Sequence, residues 1–159
     1  MERIIMLGVG NGGPLNLYNT CFVIQNDNHN FLVDTGGSIE IINRLTQVEI
    51  DYKQIKHIFI SHSHTDHILG IFWIFKKLGS LAKHGKIKEK INLYCNDVVF
   101  ESIKGVANYI LPKNMMDAIY TIIDFKVLQD GDIYNINGIE YTFFDIRAKG
   151  QNSLDLNVA

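Results

Sequence analysis

Cysteine is scarce in this chain. Only Cys21 and Cys95 occur among 159 residues. Each sits inside an apolar stretch and neither belongs to a CxxC pair, so a disulfide framework is not expected and buried free thiols in a reducing compartment are. No apolar run approaches the roughly 18 residues that a bilayer span needs. The opening Met1-Glu2-Arg3-Ile4-Ile5-Met6-Leu7 gives way to glycine too soon for a signal peptide, and a soluble cytoplasmic protein is the expectation. Net charge is only −2, which gives no overall attraction to nucleic acid or to an anionic membrane. Repeats and low-complexity tracts are absent too. Lysine alone is locally dense, at Lys76, Lys77, Lys83, Lys86, Lys88 and Lys90. A solvated face is the plainer account of that density, with a phosphate-binding patch as the alternative.

What is present is an ordinary globular composition, 47% hydrophobic with a mean hydropathy of +0.04, in a length that suits one domain with a real core. Arg3 to Val9 reads as a strand. The glycine-rich run Gly8 to Pro14 after it lacks a Lys-Ser/Thr pair and no helix pattern follows, so it reads as a loop between strands rather than a phosphate cradle. Thr20 to Ile24 and Phe31 to Val33 form a hairpin across Asp27-Asn28, and Ser38 stands as the N-cap of an amphipathic helix over Ile39 to Leu45. Ile91 to Cys95 is a strand. A helix from Asn96-Asp97 to about Ile110 is stopped by Pro112. From Ile119 the pattern turns to strands over Thr121–Leu128, Asp132–Ile136 and Ile139–Ile146, joined at Asp130-Gly131 and Asn137-Gly138.

The densest chemistry lies at Ser61-His62-Ser63-His64-Thr65-Asp66-His67, three imidazoles and a carboxylate in six positions. His57-Ile58-Phe59-Ile60 before it reads as a buried strand, and Ile68 to Phe75 after it as an apolar helix whose aromatics Trp73 and Phe75 belong to the core. The cluster therefore sits in a turn at the carboxyl end of a strand, where α/β sheets hold their ligands. Imidazole nitrogen and carboxylate oxygen are donors for Zn²⁺, and Mn²⁺ or Fe can use the same set. His62 and His64 can close on one ion, and Asp66 and His67 on a second beside it. Two ions roughly 3.5 to 4 Å apart would polarise an ester or phosphoryl oxygen and supply a hydroxide nucleophile. Asp34, ending the strand Phe31-Leu32-Val33, has two readings: it caps its loop through backbone amides, or it orients a ligating His. His29, His57 and His84 read as surface residues.

The text SHSHTDHILG over Ser61 to Gly70 carries HxHxDH and resembles the metallo-β-lactamase superfamily, in particular its ribonuclease Z type branch. The opening LGVGNGGP, NTCF at Asn19 to Phe22, LVDTGG at Leu32 to Gly37 and FFDI at Phe143 to Ile146 fall in that family's order and spacing, so the resemblance spans nearly the whole chain. It implies an α+β, αββα sandwich, here its N-terminal half, over residues 1–146, followed by an irregular tail at 147–159. It implies two zinc ions, with His62 and His64 on the first, Asp66 and His67 on the second, Asp66 serving also as a catalytic residue, and Asp34 in support. It further implies phosphodiester cleavage by a metal-bound hydroxide, as in tRNA 3′ processing, with an RNA (tRNA precursor) or another small ester as substrate and no membrane partner.

This chain departs from the family in length. The family's second half supplies a third His for the first metal, a bridging Asp and a final His. The first of these is expected just after Phe143 to Ile146, where Arg147 stands. A half sandwich also leaves a sheet face to cover, which points to a homodimer or to a C-terminal partner segment. Two rival functions follow: hydrolysis of thioesters, lactones or lactams by the same centre, and a catalytically silent domain that binds metal weakly or serves in assembly.

Overall fold

Along His57-Ile58-Phe59-Ile60 successive side chains enter different cores. Ile58 and Ile60 join one cluster and Phe59 the other, as the two-residue period of a strand requires. Leu32 and its neighbours Phe31 and Val33 divide in the same way. A strand buried on both faces is therefore the centre of a layered structure. The structure is a computed structural model that describes residues 2–27, 29–145 and 154–158.

Six strands make the larger sheet in sequence order: β1 (Glu2–Gly8), β2 (Cys21–Asn26), β3 (His29–Val33), β4 (His57–Ile60), β5 (Ile91–Cys95) and β6 (Ile123–Val127). The first three run antiparallel; β3 to β6 are parallel. Three further strands, β7 (Asp132–Ile136), β8 (Ile139–Asp145) and β9 (Leu154–Val158), form a second, antiparallel sheet. Helices α1 (Glu40–Gln47), α2 (Thr65–Lys83), α3 (Asp97–Ile110) and α4 (Lys113–Ile122) supply the first core with Ile41, Leu45, Ile71, Phe75, Ile103 and Ile119. The second core lies between the sheets, where Ile136, Ile139, Tyr141 and Phe143 meet Phe31, Phe59 and Tyr94. The described residues thus form three layers, helices on a sheet on a sheet. On the smaller sheet's other face Ile133 and Phe144 are exposed.

Several sequence expectations need correction. Ile119 to Ile122, expected to lead into and open a strand over Thr121–Leu128, instead close helix α4, and the strand begins at Ile123. Met116, Ile119 and Ile122 recur at three-residue spacing and all are buried, a helical stripe that the β-branched run Thr121-Ile122-Ile123 obscures. The tail expected to be irregular holds β9, which pairs with β8 from Tyr141↔Val158 to Asp145↔Leu154. Leu154, Leu156 and Val158 alternate with Asp155 and Asn157, a two-residue period that the irregular reading of the tail passed over. Ile146 and Arg147, where a further ligand was expected, and Asn28 of the first hairpin lie outside the described residues.

Phe75 is core but Trp73 is 37% exposed, and Lys76 Nζ lies 5.2 Å from its ring centre. His57 is half-buried rather than a surface residue: its ring stacks on Phe31 and its Nδ1 lies 3.1 Å from the Tyr94 hydroxyl. Burial, and then the charge of His29, lower its pKa. His29, His84 and the six lysines of the dense stretch are exposed. Cys21 and Cys95 are buried free thiols, each pushed up to about 12, chiefly by burial. Among the described residues no helix is long and apolar enough to cross a membrane.

Phe143 is fully buried between the sheets, against Phe59, Tyr94 and Tyr134. Phe143→Ala is expected to cost about 3–5 kcal/mol, read as a lowered midpoint in denaturant unfolding.

Candidate metal centre

β3 and β4 run parallel and end side by side, Val33 opposite Phe59. The next residues, Asp34 and Ser61 to His64, therefore emerge together at one edge of the sheet. Asp34 adopts a left-handed conformation, φ +56°, a state that Asp tolerates better than most residues. Its amide donates to Phe59 O at 2.8 Å. This turns its carboxylate toward Ser61, where Oδ1 accepts the backbone N–H at 2.8 Å and the hydroxyl lies 2.7 Å from Oδ2. His67 Nδ1 stands 2.7 Å from the same Oδ2. Both readings of Asp34 thus describe one side chain, which takes a backbone amide and holds an imidazole.

The cluster straddles a helix start. α2 begins at Thr65 rather than at Ile68, with His64 as its N-cap residue, so Asp66 and His67 lie in its first turn while His62 precedes it. The helix comes unusually close to the Asp34–Gly37 loop. Thr35 N–H and Oγ1–H both bond to His67 O at 2.9 Å, and Gly70 N–H bonds to Gly36 O at 2.8 Å. A side chain at residue 70 could not fit, since its Cβ would lie 1.9 Å from Thr35 O.

Hydrogen bonding assigns the imidazole tautomers. Ser61 has one hydroxyl proton and a carboxylate beside it, so the proton goes to Asp34 and Ser61 Oγ accepts from His62 Nδ1–H at 2.9 Å. His67 Nδ1–H donates to Asp34 directly. When either ring is neutral its Nε2 is left with the lone pair, the form that a metal takes. His62 Nε2 lies 3.1 Å from His64 Nδ1, and His67 Nε2 lies 3.3 Å from Asp66 Oδ2. Two ligands about 2.0–2.1 Å from a tetrahedral ion stand about 3.3 Å apart, so each pair has the spacing of two groups facing one ion. The ring centres of His62 and His67 are 4.1 Å apart, which brings the two pairs together. These residues fit a pair of divalent ions by donor type and by spacing, with two donors for each. Among the described residues no group of three or more His, Cys, Asp or Glu side chains is disposed around one ion.

Electrostatics divide the rings. Burial lowers the His62 pKa, and His67 lowers it further. Burial also acts to lower His67, but the hydrogen bond and charge of Asp34, helped by Asp66, leave it raised overall.

A family profile described as "Anti-Pycsar protein Apyc1" matches residues 2–155. The chain belongs to that family. Among its curated relatives, ribonuclease Z of Methanococcus aeolicus is 30% identical over 126 residues, covering 79% of this chain and 34% of that protein. The chain spans about a third of the length of the first curated relatives it matches, 34% and 38%. Human tRNase Z, short form, superposes with a TM-score of 0.74 at 15% identity, covering 100% of this chain and 64% of that one. The metallo-β-lactamase fold protein YhfI of Bacillus subtilis gives 0.71 at 17% identity, covering 98% and 58%. The fold is that of the metallo-β-lactamases, held in part, and the curated relatives named ribonuclease Z support the branch that the HxHxDH resemblance implied. The contributions of Ser61 and Thr35 escaped the sequence reading. Ser61 adjoins the motif, and only the closeness of β3 to β4 reveals its partner.

In the metal-free protein His67 is expected to titrate above the ordinary histidine value of about 6.5, and Asp34→Asn to bring it down. NMR titration of the imidazole reads both. Because the folded value is raised, the pair's contribution to stability is complete below about 6.5 and is lost as pH rises through the folded value. The stability gap between wild type and Asp34→Asn should therefore be wider near pH 6 than near pH 9, by denaturant unfolding at about those two values.

Proposed function

We propose that this chain carries the first ligands of a two-metal hydrolase centre and acts on phosphodiesters, in the manner of its ribonuclease Z relatives. One observation carries the reading: the two donor pairs, 3.1 and 3.3 Å across, meet at one sheet edge with the rear nitrogens of His62 and His67 already bonded. In this reading His62 Nε2 and His64 Nδ1 hold one ion, and Asp66 and His67 Nε2 hold the other, with zinc as the first candidate and Mn²⁺ or Fe as alternatives. Such ions would polarise a phosphoryl oxygen and activate a water for attack. The chain's own residues do the rest. Asp34 holds His67 in the ligating tautomer, and Ser61 passes the same constraint to His62. The proton between His62 and His64 must move to His64 Nε2 before both nitrogens can face an ion. Asp66 brings the negative charge that lowers the cost of gathering cations beside two neutral rings.

An RNA is the substrate class that the ribonuclease Z relatives support. The family description, anti-Pycsar protein, adds a setting opposed to Pycsar. Donor sets of two, where catalytic zinc usually keeps three protein ligands, favour a second reading: a domain that binds metal weakly and is silent alone. Elemental analysis after zinc loading separates the two, since near-stoichiometric metal supports the centre and none supports the silent domain.

Protein loaded with Zn²⁺ or Mn²⁺ is expected to hydrolyse a model phosphodiester such as bis(p-nitrophenyl) phosphate. His64→Ala should lower the rate by more than the roughly 100-fold that partners behind a ligand cost. Activity that survives His64→Ala would overturn the assignment.

A further inference from the structure

Tyr18 belongs to none of the segments that carry the family resemblance, yet it touches the loop on which the centre depends. We propose that Tyr18 is a positioning residue, whose hydroxyl fixes the Asp34–Ser38 loop and through it the orientation and tautomer of His67. The metal arm of this proposal rests on the reading of His67 as a ligand; the rest does not.

The contacts form a continuous relay. Tyr18 is 8% exposed, and its single hydroxyl proton is shared between Thr35 O at 2.8 Å and Ser38 O at 3.1 Å. Burial keeps the phenol well above its ordinary pKa, so it remains a donor. The ring lies directly on Gly36, whose φ is +64° and whose Cβ, if present, would meet Tyr18 Cζ at 2.4 Å. A glycine is thus required under the ring twice over, by conformation and by space. Thr35, held by its carbonyl, uses its amide and its hydroxyl to grip His67 O, both at 2.9 Å. Asp34, one residue earlier, grips the His67 ring through Oδ2 at 2.7 Å. His67 is therefore held at backbone and side chain by two successive residues, and the tyrosine braces the segment that contains both.

Tyr18→Phe deletes one oxygen and keeps the ring on Gly36. The decisive readout is the ¹⁵N shift pattern of the His67 imidazole in metal-free protein at a pH above the ring's own titration midpoint, where it is neutral. Wild type is expected to show a single Nδ1–H tautomer and Tyr18→Phe a mixture. Zinc affinity should fall roughly ten- to a hundredfold, the range for groups that orient a ligand. Phe143→Ala, in the other core, controls for lost stability and should leave the His67 pattern unchanged. Should Tyr18→Phe fail to fold, Thr35→Val removes the hydroxyl half of the Thr35 grip on His67 O at nearly equal volume and is expected to shift the same signals. An unchanged His67 pattern in the folded variant, or an equal change in Phe143→Ala, overturns the proposal. If wild type takes up no zinc, the ligand reading of His67 fails, and the tautomer comparison still decides the role of Tyr18.

Discussion

The carboxylate of Asp34 is the interaction on which the rest of the centre depends. It is 6% exposed and accepts from Ser61 N–H, Ser61 Oγ–H and His67 Nδ1–H. A buried carboxylate without partners would be costly; this one has three donors, from β4's carboxyl end and from the first turn of α2. It therefore joins the sheet to the helix at the place where the imidazoles emerge. It also fixes two tautomers with one charge, directly at His67 and through a serine at His62. Without it, four polar side chains would crowd a loop with no common direction.

The fold explains why such a residue can exist here. Strands β3 and β4 are buried on both faces, by helices on one side and by the smaller sheet on the other. That burial fixes register, because a slip of one residue would exchange Phe59 with Ile58 and Ile60 between two cores of different shape. Fixed register places Asp34 beside Ser61. Glycine then allows the helix to approach: Gly70 lies where any side chain would strike Thr35 O, and Gly36 lies where one would strike Tyr18. Packing far from the centre and glycine next to it thus serve one end, a loop held to within hydrogen-bond tolerance.

Much of this was legible in the sequence, and the reason differs from part to part. Strands β4 and β5 and helix α3 were readable because hydrophobic period, capping by Asn96 and the stop at Pro112 all agree. Helix α4 was hidden because its last turn is β-branched and runs straight into β6, so local propensity and tertiary packing pull apart there. Trp73 shows the limit of composition, since an aromatic beside a buried Phe75 still faces outward when it falls on the helix's solvent side. The imidazoles were legible as a motif. Their tautomers were not, because these depend on Ser61 and Asp34, which are 27 residues apart and meet only through parallel pairing.

Four donor side chains crowd one sheet edge, and their lone pairs face one another. Apposed imidazole nitrogens and a carboxylate 3.3 Å from one of them would repel if every lone pair pointed inward with nothing between. Burial works against a charged His67, yet the hydrogen bond and charge of Asp34, with the charge of Asp66, favour the protonated ring. That ring retains a proton more readily because Asp34 and Asp66 flank it, while burial and the charge of neighbouring His67 let His62 shed one more readily. A proton on His67 thus stands between the carboxylates where the proposal places a cation. In the proposed centre a cation held by that pair would replace the proton's charge rather than add to it, while Asp34 continues to hold Nδ1.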